Sequence, residues 1–207
     1  MILQEKITPS IFAADFSKIK DEIAKIEKYG CKMIHLDIMD GNFVPNISFG
    51  PKITEDILKI TNLSFDAHLM VNDPVFYMGK FLFDKIKYIT FHYESIIYND
   101  RIMDLIKKIK AKDKKAGISI KPKTDIKSIT EFLKDLDLVL IMTVEPGFSG
   151  QKMIKEVLPK IDRLNKIRIE NKFNFLIQVD GGINFENASS IIDMGADLLV
   201  IGSAFFN

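Results

Sequence analysis

The chain has 207 residues, 47% of them hydrophobic, and a formal net charge of +1. That size and composition fit one globular domain spanning residues 1–207, and the near-neutral charge argues against an electrostatic nucleic-acid binder. Cys31 is the only cysteine, so no intrachain disulfide can form, and a reducing, cytoplasmic compartment is expected.

The opening "MILQEKITPS" lacks the basic segment and long apolar run of a signal peptide. "KITPSIF" reads as a first strand, and "DFSKIKDEIAKIEKYG" as a helix with apolar residues at Phe16, Ile19, Ile23 and Ile26, stopped by Gly30. "KMIHLDIM" is a second strand, with a helix after Pro51. "LSFDAHLMV" is the third, with a helix near "DPVFYMGKFLF". "KYITFHYE" is the fourth, followed by the helix "DRIMDLIKKIKAKDKK", whose lysines read as a solvated face. "AGISIKP" and "IKSITEFLKDL" make the fifth pair, and "DLVLIMTVE" with the long helix "QKMIKEVLPKIDRLNKIRIE" the sixth. "FLIQVDGGI" with "NFENASSIIDMG" is the seventh, and "ADLLVIGSAFF" the eighth strand.

No apolar stretch approaches the ~20 residues of a membrane span, so no membrane partner is expected. Strands alternating with helices imply a parallel sheet, and eight such units imply a closed, short (β/α)8 barrel rather than an open doubly wound sheet. The last helix is missing or reduced to a single turn. A neighbouring subunit covering that gap makes a homo-oligomer the expectation.

The polar exceptions fall at strand C-terminal ends. They are Ser10, His35 with Asp37, His68, His92, Lys121, Glu145, Asp180, and Gly202-Ser203. Barrel active sites are built at that face. His35 and Asp37, two apart on a strand, share a face. Two imidazoles and two carboxylates, His35, Asp37, His68 and Asp180, can close on one divalent cation per chain, with His92 as the alternative to His68. Mixed N/O ligation favours zinc, iron, manganese or cobalt over magnesium or calcium. Asp40 reads as a turn residue beside Gly41.

Glycine loops follow strands six to eight, in "VEPGFSGQ", "VDGGI" and "IGSAFF". Glycines let backbone N–H groups approach an anion, and barrels often place a phosphate after strands seven and eight. A cation, two carboxylates and a phosphate grip together imply proton transfer next to a carbonyl, where two aspartates serve if one is ionised and the other neutral.

The segments "ITPSIFAADF", "IHLDIMDGNFVPNISFGP", "DAHLMV", "VLIMTVEPGFSGQ", "VDGGIN" and "GADLLVIGSAFF" closely resemble, in order, the signature segments of the ribulose-phosphate 3-epimerase family. The resemblance implies a (β/α)8 barrel that interconverts D-ribulose 5-phosphate and D-xylulose 5-phosphate in the pentose phosphate pathway. It implies His35, Asp37, His68 and Asp180 as metal ligands, zinc foremost, and Asp37 and Asp180 as the acid/base pair. Ser10 and His68 would also contact substrate. Gly147, Phe148, Ser149, Gly150, Gly181, Gly182, Gly202 and Ser203 would grip the phosphate. Met39, Met70 and Met142 would line the site, and His92 would have no ligand role. Ser149 stands where the family usually has glycine, Lys121 where many members have asparagine, and Gln178 where an acid is common. Gln178 shares a strand face with Asp180, so a changed hydrogen bond near that carboxylate is expected. The alternative is an epimerase of a six-carbon ketose phosphate, which the metal residues do not discriminate.

Overall fold

A computed structural model describes residues 3–206; residues 1, 2 and 207 of the expected 1–207 domain lie outside the described residues. Eight strands run parallel in one sheet: β1 (Ile7–Pro9), β2 (Met33–Met39), β3 (Ser64–Met70), β4 (Ile86–His92), β5 (Lys115–Ile120), β6 (Leu138–Met142), β7 (Leu176–Asp180) and β8 (Leu198–Ile201). From β2 to β8 each strand pairs with its sequence neighbours, and β1 pairs with β8. A single parallel bridge, Ser10 to His35, joins β1 to β2 and closes the barrel near its C-terminal mouth. No helix of the described residues is long and apolar enough to cross a membrane.

Period-two alternation sorts the strand side chains. Residues such as Ile34, Leu36, Phe65, Ala67, Ile89 and Val139 point outward and join one large apolar cluster with the helices. Met33, Tyr88, Leu138, Leu140 and Leu198 form a separate apolar cluster inside the barrel. Above that plug the interior turns polar: Thr8, His35, Asp66, Thr90, Ser119 and Gln178 are all buried. The barrel's inner face is thus apolar at the N-terminal end and chemically equipped at the other.

The connecting helices are α1 (Leu3–Lys6), α2 (Ile19–Tyr29), α3 (Pro51–Ile60), α4 (Pro74–Met78), α5 (Asn99–Lys110), α6 (Pro159–Glu170), α7 (Ala188–Asp193) and α8 (Ser203–Phe206). After β8 the described residues form one helical turn, Ser203–Phe206. Three segments differ from the sequence reading. The helix after β3 ends at Met78, where the N–H groups of Lys80 and Phe81 turn back to Tyr77 and Met78 and drop Phe81 into the core. Ile126–Asp135 is a 3-10 helix; its buried Ile126, Ile129 and Phe132 recur every three residues, the period of that helix. The helix read from Gln151 begins at Pro159, because Gln151 to Ile154 is tied elsewhere. Ile154 N–H donates to Thr143 O, and Gln151 Nε2 donates to Glu145 O and Phe148 O.

Candidate active site and metal centre

The polar side chains at the barrel mouth converge. Ligand atoms from His35, Asp37, His68 and Asp180 all lie within 4.8 Å of one another. β2 contributes His35 and Asp37 by alternation, β3 brings His68 opposite Asp37 in register, and β7 ends on Asp180. His35 Nε2 is 3.2 Å and His68 Nδ1 3.4 Å from Asp37 Oδ1. The Ser10 hydroxyl donates to Asp37 Oδ2 and fixes that carboxylate's plane.

The donor set fits a divalent cation. Bonds of about 2.0–2.2 Å would bring four ligand atoms to roughly 3–3.5 Å of one another, close to the two spacings already present. His35 is fully buried, yet its Nε2 has no hydrogen-bond partner among the described residues. A buried imidazole nitrogen without a partner costs stability, and a cation held there would satisfy it. His35 Nδ1 makes a 2.8 Å contact with Asp66 Oδ1, although the alignment falls short of a hydrogen bond.

Burial opposes charge on every member of the group, and the carboxylates decide the outcome. Burial alone would lower the His35 pKa, but Asp66 and Asp37 flank the ring and hold it well above its ordinary value. Burial lowers His68, and it lowers His92 to about 4. Burial works to raise Asp37, but the His35 charge and the close approach of the two imidazoles outweigh it and hold Asp37 well below the usual carboxylate range. Asp180 is pushed up to about 7, first by burial and then by the Asp37 charge. The two aspartates are therefore split, one ionised and one about half protonated near pH 7.

That split has a cost in the metal-free protein. Asp180 has a higher pKa folded than unfolded, so its contribution to stability is complete below about pH 3.8 and is lost as pH rises toward about 7. Asp180→Asn carries no charge to lose. The metal-free variant is expected to melt roughly 3–6 °C above the metal-free parent at pH 8, with a smaller gap at pH 5. Thermal melts at the two pH values check this, and equal gaps would refute it.

A cleft of about 460 Å³ opens above the cluster. Ser10, Asp37, Met39, Met70, Met142, Gly147, Phe148, Ser149, Gly150, Asp180, Gly181, Gly182, Gly202 and Ser203 all line it, so the sequence-expected residues are brought together. His35 and His68 are fully buried behind this wall rather than in it, so His68 reaches the ligand cluster but not the cleft surface. His92 is also fully buried and stands one step further back, against His68.

The glycine loops are shaped by close approach. A Cβ on Gly181 (φ +124°) would lie 2.8 Å from Val144 N, and one on Gly182 (φ +64°) 2.5 Å from Met153 N. The N–H groups of Gly182, Gly202 and Ser203 have no hydrogen-bond partner among the described residues, which leaves three donors at the rim. Ser149 has no positive φ, so the serine sits there without backbone strain.

Two residues escaped the sequence reading. Asp66, two positions before His68 on β3, backs His35. Its Oδ2 accepts a 2.6 Å hydrogen bond from Gln178 Nε2, which also reaches Thr8 Oγ1 at 3.3 Å. Gln178 therefore bonds the carboxylate behind His35, not Asp180. Glu94, just past β4, pairs with His92 at 3.2 Å. The same cue that marked His35 and Asp37, polar residues two apart in an apolar strand, was present at Asp66 and His68. Asp40 is a turn residue as expected: Oδ1 accepts from the N–H groups of Asn42 and Phe43, and Oδ2 from Asn72 N–H.

Likeness to known proteins follows the site. In fold, the chain superposes on a mutant tryptophan synthase alpha-subunit from Pyrococcus furiosus with a TM-score of 0.69, at 13% identity, over 97% of this chain and 88% of that one. In sequence, it is 44% identical over 202 residues to a ribulose-phosphate 3-epimerase of Bacillus subtilis, covering 97% of this chain and 92% of the relative. It is 43% identical over 201 residues to the enzyme of that name from Methanocaldococcus jannaschii, covering 97% and 84%. A profile described as the ribulose-phosphate 3 epimerase family matches residues 6–206, a span that holds every residue of the cluster and the cleft wall. By sequence across nearly its whole length, the chain is a member of the ribulose-phosphate 3-epimerase family of isomerases.

Proposed function

We propose that the chain interconverts D-ribulose 5-phosphate and D-xylulose 5-phosphate at C3, with one divalent cation held by His35, Asp37, His68 and Asp180. The observation that carries this reading is the two-histidine, two-aspartate cluster at the floor of the cleft, within 4.8 Å. When bound, the cation supplies positive charge beside the oxygen that becomes anionic as the C3 proton leaves. Asp37, held ionised, takes that proton on one face of the carbon, while Asp180, still protonated in part near pH 7, gives one on the other. The opposite direction exchanges the roles. The Ser10 hydroxyl holds the Asp37 carboxylate in place.

Gly147 to Gly150, Gly181, Gly182, Gly202 and Ser203 receive the phosphate, and the unpartnered N–H groups support this. Met39, Met70 and Met142 line the wall beside the cation, where polarizable thioethers exclude water without adding charge. The lone, buried Cys31 supports a cytoplasmic setting.

A coupled assay for xylulose 5-phosphate, run with and without a chelator, tests the proposal. Prolonged chelation is expected to abolish activity, and zinc, cobalt, manganese or iron(II) to restore it better than magnesium. Full activity in protein shown to be metal-free by elemental analysis would discard the cation. A higher rate on a six-carbon ketose phosphate than on ribulose 5-phosphate would reassign the substrate.

A further inference from the structure

His68 and His92, alternatives as ligands by sequence, touch each other. Their Nε2 atoms lie 2.9 Å apart. Two imidazole nitrogens at that distance share one proton, so one ring must donate and the other accept. The choice is made at the far end of the chain of contacts. His92 Nδ1 lies 3.2 Å from Glu94 Oε2, and Glu94 Oε1 accepts from Lys121 N–H at 2.7 Å and from the Thr124 hydroxyl. A backbone N–H only donates, so Oε1 is fixed as an acceptor, and an ionised carboxylate accepts at its other oxygen as well. His92 Nδ1 then carries the hydrogen and His92 Nε2 is bare. His68 Nε2 must supply the shared proton, which leaves His68 Nδ1 bare and facing Asp37 Oδ1. Two lone pairs facing each other at that distance repel unless a cation lies between them.

We propose that Glu94 is a positioning residue that acts through His92 to set the His68 tautomer whose Nδ1 is free for the cation. This rests on the metal reading above. Its surroundings are built to hold the geometry. The Lys160 ammonium donates to Pro122 O and Thr124 O, both at 2.6 Å, and so fixes the loop that presents Thr124 to Glu94. The Phe43 ring packs on His92 with centroids 4.8 Å apart, and Lys121 Nζ lies over the Phe43 ring, 4.0 Å from its centroid. A hydrogen bond to the non-ligating nitrogen is the usual way a protein fixes a histidine ligand. Here it passes through a second imidazole.

Glu94→Gln tests this at constant shape. Lys121 N–H and the Thr124 hydroxyl keep the amide oxygen, so the amide NH2 faces His92 Nδ1. That reverses each proton in turn: His92 becomes the Nε2–H form and His68 the Nδ1–H form, which blocks the ligating nitrogen. Nitrogen-15 NMR of the imidazoles in metal-free protein is expected to show His68 Nε2–H and His92 Nδ1–H in the parent and the reverse in the variant. Cobalt(II) titrated into the metal-free proteins is expected to bind about 10–100-fold more weakly to the variant. Circular dichroism melts confirm that both are folded. Unchanged tautomers in the variant, or reversed tautomers with unchanged cobalt affinity, would overturn the proposal. If the parent takes up no cobalt while its tautomers reverse in the variant, the metal reading fails and the hold of Glu94 on His68 stands.

Discussion

Asp37→Asn and Asp180→Asn are each expected to slow epimerisation by ~10²–10⁴-fold, the range for losing a general acid or base. Each change also removes a carboxylate from the metal cluster, so the rate loss is read against the measured metal content. The isotope pattern isolates the proton transfers. A carboxylic acid holds one proton, so the proton taken by one aspartate has no direct route to the opposite face of C3. Under initial-rate conditions in D2O, the product is expected to carry solvent deuterium at C3. Unreacted substrate gains deuterium more slowly, because its own proton can return from the first aspartate. Efficient carry-over of the substrate's own hydrogen into product would mean one base serving both faces, and the two-aspartate assignment would fall.

Ribulose without its phosphate is expected to react about 10³-fold less efficiently in kcat/KM. Hydrogen bonds to a charged group are worth roughly 1.5–3 kcal/mol each, and the rim offers three unpartnered N–H donors at Gly182, Gly202 and Ser203. Two of them suffice for about 4 kcal/mol, a thousandfold. Because this energy orients the reacting carbon, kcat is expected to fall along with the rise in KM. Inorganic phosphate should compete weakly. Ser149→Gly should be nearly neutral, since the serine imposes no backbone strain. Comparable efficiency on the free sugar would remove the phosphate grip from the mechanism.

The barrel was legible because short, mainly apolar runs alternate with helical patterns, and the site because His35, Asp37 and His68 interrupt those runs at the mouth. The parity of a strand is readable from spacing alone, so convergence on one face could be stated before any coordinates. What spacing does not carry is which neighbour each polar atom meets across the barrel. Gln178 shares parity with Asp180, yet its amide reaches across to Asp66 on β3. Asp66 went unread because nothing local distinguishes a carboxylate that binds a cation from one that backs a histidine. Glu94 lies in a short 3-10 turn past β4, where strand parity no longer applies. The 3-10 segment Ile126–Asp135 differs from an α-helix only by an apolar spacing of three instead of three and four, a distinction that ten residues barely express.

The apolar plug of Met33, Tyr88, Leu138, Leu140 and Leu198 has a kinetic consequence. It fills the N-terminal side of the barrel with largely apolar side chains, while the cleft reaches Asp37 and Asp180 from the other side, so the mouth that admits the sugar is their route to solvent. Under the two-aspartate mechanism, each forward turnover leaves Asp37 protonated and Asp180 bare, the state suited to the reverse reaction. The free protein must then exchange protons through the open mouth before it can act forward again. Substrate concentration accelerates binding only, so this recovery persists at saturation alongside the chemistry and product release. Near saturation, net flux cannot exceed the rate at which the empty protein recovers.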